Sequence, residues 1–220
     1  MDDRCDTQRR VLESACRLFA EKGYAGTTVA DICERAGANK AAVNYHFRSK
    51  ENLYAEAWRL AFRGSMEAHP VDGGVPSNAP AEERLRGHIL STIRRITDPN
   101  SYEFDIVEKE RAQPTGLLAE VMRDSIEPVR LQVAGIVREL LGSGASEEQV
   151  MLCHRSIMAQ CMHFFLRERP GRKAFFPPPN RLPVEAVAEH IVRFSLAGIR
   201  NMRQSIERGE APSEEPPSRE

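Results

Sequence analysis

Apolar residues recur at helical spacing along nearly the whole chain, and period-2 runs of Val, Ile, Thr and aromatics are absent. That regularity predicts an all-α fold. In the first segment, about 7–22, Val11, Leu12, Ala15, Leu18 and Phe19 share one helical face, and Gly23 is placed to stop the helix. A second helix follows Thr28, with Asp31 three residues on as an Asp variant of the capping box, and ends at Ala36–Gly37. Asn39 is a good N-cap for a third, running to about Tyr45. Ser49 caps a fourth that carries Leu53, Ala57, Trp58, Leu60 and Ala61. After a Pro- and Gly-rich loop at 69–80, helices are expected at about 81–97, 102–112, 115–141 (kinked by Pro128), 146–169 and 183–207. The count is about nine helices and no sheet. The tail 208–220 is Pro-rich and acidic and is expected to be disordered.

Composition narrows the function classes. No stretch approaches the roughly 18 apolar residues of a spanning helix, and the N-terminus MDDRCDTQRR has no apolar core behind it. Neither a transmembrane nor a secreted protein is expected. Five cysteines, an odd number without CxxC spacing, fit reduced thiols in a cytoplasm. A formal charge of −1 gives no bulk attraction to nucleic acid, so DNA binding has to come from a local patch.

Such a patch is present. The segments 29–36 and 39–45, joined by a tight Gly-containing turn, read as a helix-turn-helix whose second helix enters the major groove. From Arg35 to Lys50 there are Arg35, Lys40, Arg48, Lys50 and His46, and no acid. Phosphate contact needs such an unopposed field. An acid-free basic stretch alone is commonly only a solvated face; the ordered motif around it favours DNA. Phe47 reads as a core aromatic of the three-helix unit.

The span from Thr7 to Trp58 carries F-A-x-x-G-Y-x-x-T-T-V, then I-x-x-x-A-G, then Y-H-F-x-S-K-E-x-L. At this spacing it resembles the DNA-binding domain of TetR-family transcriptional regulators. The later segments ERAQPT, IEPVRLQVAGIVRELLG and AEHIVRFSLAGI resemble the CecR-type subgroup. The resemblance implies a DNA-binding domain over 1–50 and a ligand-sensing, dimerising domain over 51–207. It further implies that Thr28 and the amides opening the second helix hold a phosphate, while Tyr45, His46 and Lys50 grip the backbone. Base reading then falls to Asn39, Lys40, Ala41, Ala42 and Asn44, because Lys donates to guanine, Asn pairs with adenine and Ala touches a thymine methyl. Asn39 stands where the family commonly has Ser, and Asn44 where it commonly has Tyr. The operator sequence therefore does not carry over from a relative.

Residues 81–207 contain no GxSxG, HExxH, P-loop or dinucleotide turn. Cys153, His154, Cys161 and His163 suggest a metal. However, eight residues of helix separate the two thiols by about 12 Å, too far for one ion. Core thiols are expected instead, with no metal and no cofactor. Polar residues among apolar ones, namely His88, Phe104, Val107, Glu108, Glu110, Arg111 and Met122, are candidates to line a small-molecule pocket. Core packing or surface pairing is the plainer reading of each. The resemblance places such a pocket among the fourth to seventh helices. The last two long helices are apolar on more than one side, so one side is expected to meet a second subunit. Ile157, Cys161, Phe164, Val187, Ile191, Phe194 and Ile199 are the residues expected there.

The expectation is a homodimeric repressor that binds a double-stranded DNA operator and is released by a small-molecule effector. An activator of the same fold is the near alternative, and a helical carrier or enzyme the more distant one.

Overall fold

The computed structural model describes residues 3–168 and 182–209, and among them every regular element is helical. In chain order these are α1 (Asp3–Lys22), α2 (Val29–Ala36), α3 (Lys40–Phe47), α4 (Lys50–Ala68), α5 (Ala81–Thr97), α6 (Tyr102–Ala112), α7 (Ala119–Leu141), α8 (Glu147–Glu168) and α9 (Val184–Glu207). The helix stops and caps follow the sequence signals. Gly23 ends α1 at φ 73°, and Ser146 and Gln149 exchange the two bonds of a capping box ahead of α8. Three boundaries differ from expectation, α3 running to Phe47 rather than about Tyr45. The first helix begins a turn earlier, at Asp3, and the seventh begins at Ala119 rather than 115. Residues 115–118 stay outside it, and Glu110 accepts hydrogen bonds from the Thr115 and Gly116 amides, at 2.8 and 2.9 Å. The tail expected to be disordered falls, from 210 on, outside the described residues.

The chain divides into two compact units, Met1–Pro70 with Arg95–Val129, and Val71–Arg94 with Arg130–Glu220. In the first, α1, α4 and α6 pack on one another, with α2 and α3 closing one end. Its core is Val11, Ala15, Leu18 and Phe19 of α1, Ile32 and Ala36 of α2, Val43 and Phe47 of α3, Leu53, Tyr54, Ala57 and Trp58 of α4, and Ile106 of α6. Phe19, Tyr24 and Tyr54 form an aromatic cluster with centroids 4.7–6.3 Å apart. Burial pushes the Tyr54 phenol well above its ordinary pKa, and the neighbouring Glu110 carboxylate adds to this. The Tyr54 hydroxyl therefore stays protonated and donates to Glu110 at 3.1 Å, which fixes α6 to α4. Helix α4 is part of the core that supports α3, so this compact unit extends past residue 50.

In the second unit Leu85, Ile89 and Ile93 of α5 are buried, as are Val133 and Val137 of α7, Val150, Ile157 and Cys161 of α8, and Val187, Ile191, Val192 and Ile199 of α9. Exposed ion pairs run from α5 to α9, Arg86 to Glu189, Arg94 to Glu185 and Glu82 to Arg200, and each adds little on its own. The chain passes between the units at Pro70–Val71, within α5 and within α7. Helix α7 runs through Pro128, whose missing N–H removes one bond of its ladder, and the unit boundary follows at Val129.

Gly87 lets the loop before α5 pack closely. A Cβ there would lie 2.4 Å from the Asp72 carbonyl oxygen and 2.6 Å from Val75 Cγ2. Helix propensity alone predicts that Gly87→Ala stabilises by about 1 kcal/mol. The clash should reverse the sign, giving about 1–3 kcal/mol of destabilisation and a Tm lower by roughly 2–4 °C per kcal/mol. Gly64→Ala, on a helix with open space at the same position, should raise Tm. Calorimetry on both variants checks the contrast.

Candidate nucleic-acid interface

The α2–turn–α3 element is defined by its caps. Thr28 Oγ1 accepts from the Asp31 amide at 3.1 Å, and the Asp31 carboxylate accepts from the Thr28 amide at 3.0 Å. The backbone bond from Thr28 holds the Asp31 carboxyl below its ordinary pKa. Gly37 closes α2 in the left-handed region at φ 59°, and the Gly37 and Ala38 amides return to Glu34 and Cys33 carbonyls. Asn39 Oδ1 then accepts from the Ala42 amide at 2.9 Å, starting α3. That bond takes one lone pair of the oxygen, and the Asn39 NH₂ group remains for other contacts.

On α3, Val43 and Phe47 are buried while Lys40, Ala41, Asn44 and Tyr45 are exposed, Tyr45 at 72%. Ala42 and His46 are half-buried at the edge of that face, and the His46 ring meets the Tyr45 ring edge-on at 5.1 Å. An eight-residue helix thus keeps its apolar side in the core and presents a Lys, an Asn and a Tyr outward, with no acid in its first turn. Lys40 and Arg48 make no ion pair among the described residues, whereas Arg35 pairs with Glu21 at 2.9 Å. Arg35, part of the basic run in the sequence, is therefore partly neutralised.

The corner between α3 and α4 is made by Arg48, at φ 67° among the described residues' backbone, and by Ser49, whose hydroxyl accepts from the Asn52 amide at 3.2 Å. Immediately after it, Lys50 Nζ lies 4.0 Å from the centroid of the Tyr24 ring. The Tyr24 hydroxyl donates to Glu51 Oε1 at 2.7 Å. That bond holds the Glu51 carboxyl down to about 2, and burial with the same contact raises the Tyr24 phenol to about 12. The ammonium of Lys50 is thus seated by an aromatic face, a cation–π contact worth about 0.5–2 kcal/mol. The seat was not foreseen from the sequence. Tyr24 stands 26 residues before Lys50 in the chain, and only the fold brings them together.

The other candidate residues fall into two groups. His88 belongs to the second unit, where Nδ1 is 3.0 Å from the Val71 carbonyl oxygen and Nε2 is 3.4 Å from Thr92 Oγ1. Phe104, Val107, Glu108, Glu110, Arg111 and Met122 belong to the first. Val107 and Met122 pack against the core cluster, Glu110 anchors the α6–α7 turn as described, and Arg111 is exposed. Val107 and Met122 thus take part in packing and Glu110 in the turn. Phe104 has a neighbour absent from the expected set. The Arg95 guanidinium stands 5.4 Å from its ring and 5.8 Å from the ring of Phe62.

Of the residues expected to meet a second subunit, Ile157, Cys161, Val187, Ile191 and Ile199 are buried inside their own unit. The apolar stripe of α9 is wide enough that most of it serves the protomer core. Cys161 is an inert core thiol, pushed up to about 12 by burial. Phe194 is 65% exposed, and Phe164 lies outside the residues whose side chains are described. Leu152 (49% exposed), Ser156, Gln160, Phe194, Gly198 and Met202 border an apolar groove of about 210 Å³ with Ile157 and Ile199 in its lining. No cluster among the described residues could hold a metal ion, and no described helix is long and apolar enough to cross a membrane.

A capped helix-turn-helix with an outward, acid-free second helix defines a helix-turn-helix DNA-binding regulator. Comparison with known proteins specifies the class. The family profile described as "Bacterial regulatory proteins, tetR family" matches residues 11–57. The profile for the C-terminal domain of the HTH-type transcriptional dual regulator CecR matches residues 81–199. The chain belongs to the TetR family of transcriptional regulators, with a C-terminal domain of the CecR type. It is a DNA-binding regulator of transcription and not an enzyme. CecR of Shigella flexneri is 24% identical over 84% of this chain and 89% of its own length. The uncharacterised regulator YxaF of Bacillus subtilis is 29% identical over 68% and 78%. Among solved structures, AibR in complex with isovaleryl coenzyme A and operator DNA shares the fold, with a TM-score of 0.65 at 22% identity, covering 86% of this chain and 97% of that one.

Substitutions should separate holding from reading. Lys50→Ala and Tyr45→Phe should weaken binding to all DNA sequences by similar factors. Asn44→Ala should shift preference at particular positions, by about 1–3 kcal/mol where a base edge is contacted. Binding-site selection measures both, and an unchanged consensus for Asn44→Ala would remove Asn44 from the reading set.

Proposed function

We propose that the protein is a homodimeric repressor that binds a palindromic operator through paired α3 helices and leaves it when a small molecule binds. The observation that carries this reading is the outward face of α3, where Lys40, Asn44 and Tyr45 are exposed beside a seated Lys50 and Arg48, which makes no ion pair among the described residues. Thr28, Lys50, Tyr45 and His46 hold phosphates in this reading. Lys40, Ala41, Asn44 and the edge residues Asn39 and Ala42 face the bases.

Dimerisation is supported by the groove along α8 and α9. An aromatic that is 65% exposed next to a half-exposed leucine costs less when a symmetry-related copy covers both. Effector response is supported by family membership and by AibR, which was crystallised with an acyl coenzyme A and its operator together. Helix α4 starts beside the reading helix and carries Trp58, 1% exposed and stacked on Phe62 at 5.1 Å. It is the element proposed to carry the signal, by changing the separation of the two reading helices.

Footprinting should show a site with dyad symmetry, and operator affinity should fall roughly 10³–10⁵-fold between about 50 and 200 mM salt for 6–10 phosphate contacts. A footprint without a dyad, or a flat salt response, overturns the reading. A reporter placed behind the operator decides repression against activation, a question raised by the words "dual regulator" in the name of CecR.

Phe194→Asp should leave the fold intact, because the side chain is exposed. It should convert the dimer to monomer in analytical ultracentrifugation and weaken operator binding sharply, since two half-sites are no longer linked. A variant that stays dimeric at low micromolar concentration would remove this face from the interface.

A further inference from the structure

The first unit contains a cation in apolar surroundings. Arg95 leaves α5 with its guanidinium carbon 5.8 Å from the Phe62 ring centroid and 5.4 Å from that of Phe104. Its one hydrogen bond among the described residues runs from Nη1 to the Met66 thioether, at 3.0 Å. It makes no ion pair within that set. A guanidinium offers five N–H donors, and a thioether is a weak acceptor, so most of that capacity meets no oxygen. Burial also lowers the Arg95 pKa, against the attraction of Glu103, whose negative charge is near enough to raise it. One turn of α4 before Phe62 lies Trp58, stacked on the same ring, and its buried Nε1–H has no hydrogen-bond partner. The Phe62 ring thus has beside it a guanidinium whose one acceptor is a thioether and an indole N–H without an acceptor among the described residues. Phe62, Met66, Arg95 and Phe104 are all only half-buried, so the cluster is not sealed.

We infer that this cluster is an effector site for a small organic carboxylate with an apolar body, whose carboxylate is taken by Arg95. This rests on the ligand-release reading above and specifies the class of ligand. Buried polar groups without partners are costly, and a ligand oxygen that satisfies them gains what the free protein lacks. A carboxylate matches the planar fork in two parallel bonds. The rings of Phe62 and Phe104 and the flexible Met66 supply the apolar lining that such sites need around a few polar groups. A single cation with Glu103 close by favours a monoanion over a doubly charged phosphate. The sequence alone did not single out Arg95, because it reads as one of an adjacent arginine pair on α5 and its ring partners come from α4 and α6.

The test uses the full-length protein with two probe pairs, phenylacetate against phenylacetamide and octanoate against octanamide. Binding is followed by calorimetry and by the fluorescence of Trp58. At least one carboxylate should bind about tenfold or more tightly than its amide. Arg95→Met keeps the length and packing of the side chain and should bring that pair within about twofold. Arg95→Lys keeps the charge but loses the fork, and should lower the preference as well. It carries the test should Arg95→Met not fold. Equal binding of acid and amide, no binding of any probe up to ~10 mM, or a preference that survives at Arg95→Met overturns the proposal. The two readings fail separately. A carboxylate that binds through Arg95 without releasing operator would sink the release mechanism alone, and release by an amide that ignores Arg95 would sink this site alone.

Discussion

An eight-residue helix does not hold itself together in water, because nucleation is costly and helices shorter than about 12 residues are marginal. The reading helix α3 is such a helix, and everything the protein does with DNA depends on how the rest of the first unit holds it. Val43 and Phe47 are buried in a core whose other members come from α1, α2, α4 and α6. The two ends of α3 are closed by side chain and backbone, with Asn39 capping the start and the Arg48 amide returning to the Asn44 carbonyl. Burying two apolar side chains contributes about 1.5–3 kcal/mol each, and a cap about 1 kcal/mol. These are the terms that oppose fraying of the face that carries Lys40 and Asn44.

The same constraint explains why some of the fold was legible in the sequence. Short helices need strong caps, so Thr28–Asp31, Gly37, Asn39 and Ser49 stand out as punctuation, and each occupies the capping place expected of it. Long amphipathic helices declare themselves by period, and α5 and α6 fall on the expected residues. The start of α7 was not legible. Thr115 and Gly116 lie in the expected helix, but the Glu110 carboxylate five and six residues back accepts from their amides, a side-chain capping of the loop that apolar periodicity does not encode.

The site was legible to different degrees for physical reasons. Which α3 residues point outward follows from which must point inward, so Lys40, Ala41, Asn44 and Tyr45 could be read from the positions of Val43 and Phe47. The subunit face could not be read this way. A helix apolar over a wide arc is expected to serve two partners, but which residues serve which depends on where its neighbours sit. Val187 and Ile191 turned out to serve the protomer. Polar groups in the sensing region depend on their neighbours in the same way. Glu110 looks like a placed polar group, yet its carboxylate is engaged by Tyr54 and the α6–α7 turn, whereas Arg95 looked like one more surface arginine.

Helix α4 connects these parts energetically. Leu53, Tyr54 and Ala57 belong to the core that supports α3, Trp58 follows them, and Phe62 one turn later bears the Arg95 guanidinium. A tenfold change in operator affinity requires about 1.4 kcal/mol of coupling. A stacked aromatic pair is worth about 0.5–1.5 kcal/mol, and a partly desolvated cation–π contact about 0.5–2 kcal/mol. Drawing Arg95 away from Phe62 and Phe104 toward a carboxylate therefore alters contacts of the size the switch needs, without unfolding anything. A close-packed core responds to such a change by shifting between discrete arrangements rather than by yielding smoothly. The Trp58–Phe62 stack lies on the helix that leads back to Ser49 and the reading face, so a modest repacking there has a short path to the DNA.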